Sequence, residues 1–341
     1  MKVLFIAFPY MNLYKDIIEE MENQGHSVTF FEDKSLKGDI KNLTFSTWFG
    51  LRKVLWKNKI KRYWQEAISS NVILSYKYDV LFVLTGYSID TIIINHLKNI
   101  SPEIKTVFYT WDTCNYYTFD EFLPLFDKSY TFDIEDAQKD DRWILLPIYH
   151  KCKESLSQNS YKYDISIIGT NHDGRYSIVK RLLPQINELG LNYYIRIVET
   201  RAKVPLKQLL KYKLGLLSTY EEEEIKLLSG KESFEYLTRN IICYDEYEEV
   251  SNSSLCILDT HRDSQSGLTA RFMWALANKK KIITTNPHAL DYDFVNPSQV
   301  YILGEDSQIP QEFLLSQMTP DMLSNVDKYS LENWVKTILT F

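Results

Sequence analysis

Apolar residues in this chain fall into short unbroken runs separated by segments with helical periodicity. Val3–Phe8 is continuously apolar, Leu13–Asn23 has one apolar face and ends at Gly25, and Val28–Phe31 is apolar again. A strand buried on both faces reads as a continuous run, and strand, glycine-ended helix, strand is how a doubly wound parallel sheet begins. Val80–Leu84, ending at Thr85-Gly86, and Thr106–Thr110 continue the series. The pattern restarts near Tyr161. Tyr163–Ile168 reads as a strand, Gly169–Arg175 as a turn, Tyr176–Leu189 as a helix ended by Gly190, and Tyr193–Val198 as the next strand. Leu255–Asp259 and Lys281–Thr284 are later strands. The expectation is therefore two doubly wound, Rossmann-like α/β domains facing a cleft, spanning 1–150 and 151–325, with a polar linker around His150–Ser160. The segment 326–341, helical from Leu331, is expected to pack back on the first domain.

Between the first strands lies a long helical stretch, 46–70, with Trp48, Trp56 and Trp64 on an eight-residue spacing and with Arg52, Lys53, Lys57, Lys59, Lys61 and Arg62. Two readings stay open. A basic face suits contact with anionic lipid or a lipid-linked acceptor, whereas an amphipathic helix with a Trp core face and a solvated Lys/Arg face needs no ligand.

A chain of 341 residues suits two domains better than one core. The net charge of −6 argues against a nucleic-acid partner. No run of about 18 or more apolar residues occurs, so no spanning helix is expected. The apolar start is too short for a signal-peptide core and reads as a first strand. Cys114, Cys152, Cys243 and Cys256 are scattered without paired metal-ligand spacing, as in a cytoplasmic protein with reduced thiols. The expected location is the cytoplasm, with the inner face of the membrane as the place where 46–70 would act.

The most informative segment is Leu255–Asn286: a strand, a polar loop over Thr260–Ser266, a helix predicted over Gly267–Asn278, then a strand. The first turn of such a helix leaves N–H groups unpaired and its positive dipole end aimed at the loop, a natural seat for a pyrophosphate. Gln265 and Thr269 supply neutral donors and Arg271 a permanent cation. The plainer reading is a core helix capped by Ser266.

The stretches Cys256-Ile257-Leu258-Asp259, Gln265-Ser266-Gly267-Leu268-Thr269-Ala270-Arg271 and Lys279–Asn286 together resemble bacterial glycosyltransferases of the GT-B type. Within these they are similar to capsule and lipopolysaccharide biosynthesis proteins akin to the spore-maturation glycosyltransferase-like proteins. Tyr109-Thr110-Trp111-Asp112, Phe132–Asp136, Asp164–Thr170 with Arg175-Tyr176, and Asp291–Phe294 fit the same group in order along the chain. The resemblance implies a sugar nucleotide held chiefly by the second domain, with Gly267, Leu268, Thr269 and Arg271 around the donor diphosphate. It places Gly169, Thr170 and Arg175 across from them, Arg201 and Lys203 as cations for the leaving diphosphate, and Tyr244 against the base. The acceptor it implies is a saccharide or a lipid-linked saccharide, in assembly of bacterial surface polysaccharide. Two Glu residues common in related enzymes are missing: Trp274 stands where a ribose-binding Glu is expected, and the other Glu, expected near Ser266, is absent. Ribose recognition then falls to another group, with Asp259 as the candidate, or the site has changed or lost its donor.

Glycosyl transfer with inversion also needs a base for the acceptor hydroxyl. Asp112, just past a strand of the first domain, is the leading candidate, with capping of the next element as its structural alternative. His150 at the linker and His261 in the loop before Gly267 are weaker candidates. Asp291-Tyr292-Asp293 has the Asp-x-Asp form of a metal-binding motif but follows Pro287 in a late loop and reads as a turn; no His/Glu/Cys cluster suggests zinc. No metal or other cofactor is expected, the sugar nucleotide being a co-substrate. Two alternatives remain beside the transferase: a nucleotide-sugar epimerase of the same architecture, and a non-catalytic sugar-binding relative.

Overall fold

A computed structural model describes residues 1–9, 13–34, 49–115, 119–121, 123–151, 160–171, 174–201, 204, 206–217, 219–262, 264–304 and 308–341, with backbone alone at 49–56, 207, 219–220 and 244. Lys203, Cys152 and residues 46–48 lie outside the described residues. The chain divides into two compact units, Met1–Tyr149 with Asp327–Phe341, and His150–Val326.

The first unit contains β1 (Lys2–Ala7), α1 (Leu13–Asn23), β2 (Ser27–Glu32), α2 (Phe49–Ser70), β3 (Val80–Leu84), α3 (Thr91–Ile100), β4 (Lys105–Thr110), β5 (Lys128–Thr131), α4 (Ile134–Lys139) and β6 (Ile144–Leu145). Its strands form one parallel sheet in the order β2-β1-β3-β4-β5-β6. Val3 to Ile6 and Leu81 to Leu84 are fully buried, which is why these strands read as unbroken apolar runs. Helix α2 covers the sheet through Ile60, Trp64 and Ala67, and the Trp64 indole N–H donates to the Ser88 carbonyl at 2.6 Å. Trp64 thus belongs to the core, while Lys59, Lys61 and Arg62 are exposed. The closing helix α11 (Leu331–Leu339) belongs to this unit. Its Trp334 is buried edge-on to Tyr109, with centroids 4.7 Å apart, and against Phe82 and Tyr149.

The second unit contains β7 (Tyr163–Thr170), α5 (Arg175–Glu188), β8 (Tyr193–Val198), α6 (Leu206–Lys213), α7 (Thr219–Leu228), β9 (Leu237–Thr238), α8 (Tyr244–Asn252), β10 (Ser254–Asp259), α9 (Ala270–Ala277), β11 (Lys281–Thr284), β12 (Val300–Ile302) and α10 (Gln311–Leu315). Its parallel sheet runs β12-β11-β10-β7-β8-β9. Counted within the unit this is the dinucleotide-binding order 3-2-1-4-5-6, and the direction of winding reverses between β7 and β10. Lys281 opens a buried strand because its ammonium donates to the carbonyls of Phe313, Leu314 and Ser316, ending α10. Burial lowers its pKa.

Candidate functional site

In a doubly wound sheet, ligands bind beyond the carboxyl ends of the strands where the winding reverses. In the second unit that point lies between Gly169-Thr170, ending β7, and Asp259-Thr260, ending β10. Two guanidinium groups meet there over Gly169. A Cβ on Gly169 would lie 2.6 Å from Nη1 of Arg175 and 2.7 Å from Nη2 of Arg271, so only glycine admits both arginines.

The two arginines have different tasks. Arg175 is 3% exposed and donates to the Thr260 hydroxyl at 2.7 Å, the Thr260 carbonyl at 3.4 Å and the Thr170 carbonyl. It is the first residue of α5 and clamps the ends of β7 and β10 together. These bonds engage its Nε, Nη1 and Nη2 with Thr260 and Thr170. Arg271 keeps 15% of its side chain exposed and pairs with Asp259 through Nη1 at 3.0 Å. Its Nε is buried without a hydrogen-bond partner among the described residues. Buried donors lacking an acceptor are uncommon, and an anion is one species that supplies the acceptor.

Helix α9 begins later than its sequence suggests. Its N-cap is Thr269, whose hydroxyl accepts from the Phe272 N–H at 3.0 Å and donates to Asp259 at 2.8 Å. Ser266 is therefore not the cap, and the Thr269 hydroxyl is committed to the protein. The approach loop is fixed from beneath. Buried Asn286 donates to the carbonyls of Ser266 at 3.1 Å and Gly267 at 3.4 Å, and Tyr292 donates to that of Ser266 at 3.4 Å. Ser266, Gly267 and Leu268 are all buried, and the backbone N–H of half-buried Gln265 donates to the Arg262 carbonyl at 2.9 Å. Asp259 is 1% exposed and bonded to Thr269, Arg271 and Thr284. Those bonds orient Arg271. Trp274 is buried with its ring edge-on to Tyr247, whose hydroxyl pKa is raised by burial.

One strand away, Arg201 lies between Glu199, at 2.9 Å, and Glu224, at 2.8 Å. Buried Glu199 also accepts from Asn171 at 2.8 Å. Burial acts to raise the Glu199 carboxyl, but the bonds from Arg201 and Asn171 outweigh it and hold the pKa below the ordinary value. Arg201 is thus paired with two carboxylates. Tyr244 is the first residue of α8. The buried His150 ring bonds the Val326 carbonyl at 3.1 Å, an anchoring contact at the end of the unit. His261 bonds Thr285 at 2.9 Å. Asn286, Asn171 and Glu199 were not singled out from sequence; each stands one or two residues past a strand, the signal that could have found them.

The first unit has its own polar edge. Asp112, two residues past β4, accepts from the Tyr87 hydroxyl at 2.8 Å, and its backbone N–H donates to Thr110 at 3.0 Å. Among the described residues no helix begins directly after it. Asp33, past β2, is fully buried, and its carboxyl is pushed up to about 6 by burial, against the lowering effect of hydrogen bonds from the Ser88 and Tyr87 backbone. Asp136 is raised by burial as well. The thiol of exposed Cys114 beside it is pushed up to about 12 by partial burial and by the neighbouring carboxylate.

Among the described residues no group of three or more His, Cys, Asp or Glu side chains is placed to hold a metal. Asp291 pairs with His288 at 2.9 Å and Tyr292 is buried. No described helix is long and apolar enough to cross a membrane.

No family model matches the chain, and no curated protein matches its sequence. Solved structures do match. An α,α-trehalose-phosphate synthase (UDP-forming) from Burkholderia vietnamiensis superposes with a TM-score of 0.50 at 8% identity, over 89% of this chain and 88% of that one. The apo lipopolysaccharide outer core galactosyltransferase WaaB gives 0.48 at 12% identity, over 98% and 97%. MurG of Acinetobacter baumannii gives 0.43 at 10% identity, over 98% and 94%. The chain has the α/β fold of the GT-B type, two Rossmann-like units each with a six-stranded parallel sheet.

Proposed function

We propose that this chain is a glycosyltransferase that takes a sugar from a nucleotide-sugar donor, with the diphosphate seated at the start of α9. One observation carries the reading: at the switch point of a sheet wound in the dinucleotide-binding order, Arg271 is fixed by Asp259 beside Gly169, and its Nε has no acceptor among the described residues. The diphosphate would accept from Arg271 and from N–H groups at the start of α9 other than that of Phe272, which Thr269 caps, with Gln265 as a neutral donor. Such preorganised donors stabilise charge on a leaving diphosphate without a metal.

The first unit supplies the acceptor side, and Asp112 is its general base. As the acceptor oxygen bonds to the anomeric carbon, its proton passes to Asp112. The bond from the anomeric carbon to the phosphate oxygen breaks, and its electron pair leaves with the nucleoside diphosphate. The trehalose-phosphate synthase that shares the fold is itself described as UDP-forming, which supports a nucleoside diphosphate as product. The acceptor class, a saccharide or lipid-linked saccharide of bacterial capsule or lipopolysaccharide, rests on the resemblance of Gln265–Arg271 and Lys279–Asn286 to that group.

Buried Trp274 and the committed Asp259 favour one other reading, a relative that binds sugar without transferring it. Thermal shift against UDP, dTDP, GDP and their hexose conjugates tests both. Stabilisation by a nucleoside diphosphate that Arg271→Ala weakens by roughly 1.5–3 kcal/mol supports the donor site. No stabilisation by any of them sinks it, and binding without release of diphosphate in the presence of acceptors supports the non-catalytic relative.

A further inference from the structure

We infer that Tyr87 is the positioning residue for Asp112, held in place by a strained turn at the end of β3. The inference rests on the reading of Asp112 as the base. Thr85 has φ +69°, a conformation that residues with a Cβ seldom adopt, and Gly86 follows at φ +63°. The Gly86 N–H donates to the Leu84 carbonyl at 2.9 Å, closing a γ-turn of the rarer, strained hand around Thr85. The Thr85 hydroxyl is buried with no hydrogen-bond partner among the described residues. A side chain at Gly86 would meet the Phe108 ring at 2.9 Å, so the turn has no room to relax by substitution there.

The turn fixes two things. The Thr85 N–H donates to the Tyr109 carbonyl at 2.7 Å, tying it to β4, the strand that leads to Asp112. The reversal then delivers Tyr87, whose hydroxyl donates to Oδ2 of Asp112 at 2.8 Å while its ring stands edge-on to Phe8, with centroids 5.7 Å apart. A phenol fixed at one end by ring packing holds one carboxylate oxygen and thereby sets the direction of the other. Strain of this kind persists only where surrounding structure over-determines it, and its usual place is a functional site.

Tyr87→Phe keeps the ring contact and removes only the hydroxyl. The probe is the sugar nucleotide selected by the thermal-shift panel, with water as acceptor and released nucleoside diphosphate as the readout. Tyr87→Phe is expected to lower kcat roughly 10- to 100-fold while donor KM and Tm stay at the parent values. The double variant with Asp112→Asn is expected to be no slower than Asp112→Asn alone, since Tyr87 acts through that carboxylate. An inactive Asp112→Asn beside a fully active Tyr87→Phe overturns the positioning role alone. So does a Tyr87→Phe loss that multiplies with that of Asp112→Asn. A fully active Asp112→Asn overturns the base reading itself and the inference with it.

Discussion

The carboxyl edges of the two sheets carry opposite chemistry. Past the strands of the first unit stand carboxylates and hydroxyls: Asp33, Thr85, Tyr87, Asp112 and Asp133. Past those of the second stand Arg175, Arg201 and Arg271, with the carboxylates Asp259 and Glu199 bound to two of them. An edge rich in carboxylates can take a proton from a hydroxyl, whereas an edge of oriented guanidinium groups can hold an anion. The same architecture thus yields two polar edges of different kind, set by residues in the segments that follow the strands.

The largest expected effect breaks the acid edge. Asp112→Asn is expected to cut turnover by about 10²–10⁴-fold while the thermal shift with nucleoside diphosphate is unchanged. The second strikes the cation edge through its scaffold. Asp259→Ala leaves Arg271 buried without its carboxylate and strips a partner from Thr269 and Thr284. Urea unfolding should show a loss of roughly 3–5 kcal/mol.

A third test uses pH. Burial raises Asp33 to about 6 in the folded protein, so the folded state holds its proton where the unfolded chain has lost it. The sign is that stability falls as pH rises from about 4 to about 6 and then levels. Asp33→Asn, which still accepts from Ser88, should match the parent near pH 4 and exceed it by about 2–3 kcal/mol above pH 7. Unfolding curves at the two pH values decide it. The smallest effect is Gly169→Ala, whose methyl meets both guanidinium groups. It should cost about 1–3 kcal/mol of stability and weaken diphosphate binding as Arg271 is displaced, both visible by thermal shift with and without UDP.

Much of the framework was legible in the chain. The predicted Leu13–Asn23, Val80–Leu84, Tyr193–Val198 and Lys281–Thr284 coincide with the observed elements. The short β5, β6, β9 and β12 escaped, because two to four residues carry too little pattern to separate a strand from a loop. The start of α9 was placed three residues early. Gly267 marks a turn in sequence, yet the helix begins where Thr269 can both accept from Phe272 and reach Asp259.

Sequence by itself determined the two α/β units and drew attention to the residues past β7, β10 and β4. Those follow from local pattern, since burial on both faces of a strand is written in consecutive residues. Tertiary structure alone decided which of three arginines keeps a donor without an acceptor among the described residues. Arg175, Arg201 and Arg271 are equivalent as letters. Their fates depend on partners distant in the chain: Thr260 for the first, Glu224 for the second, and Asp259 with Gly169 for the third. A guanidinium's chemistry is set by the acceptors around it, and folding chooses those.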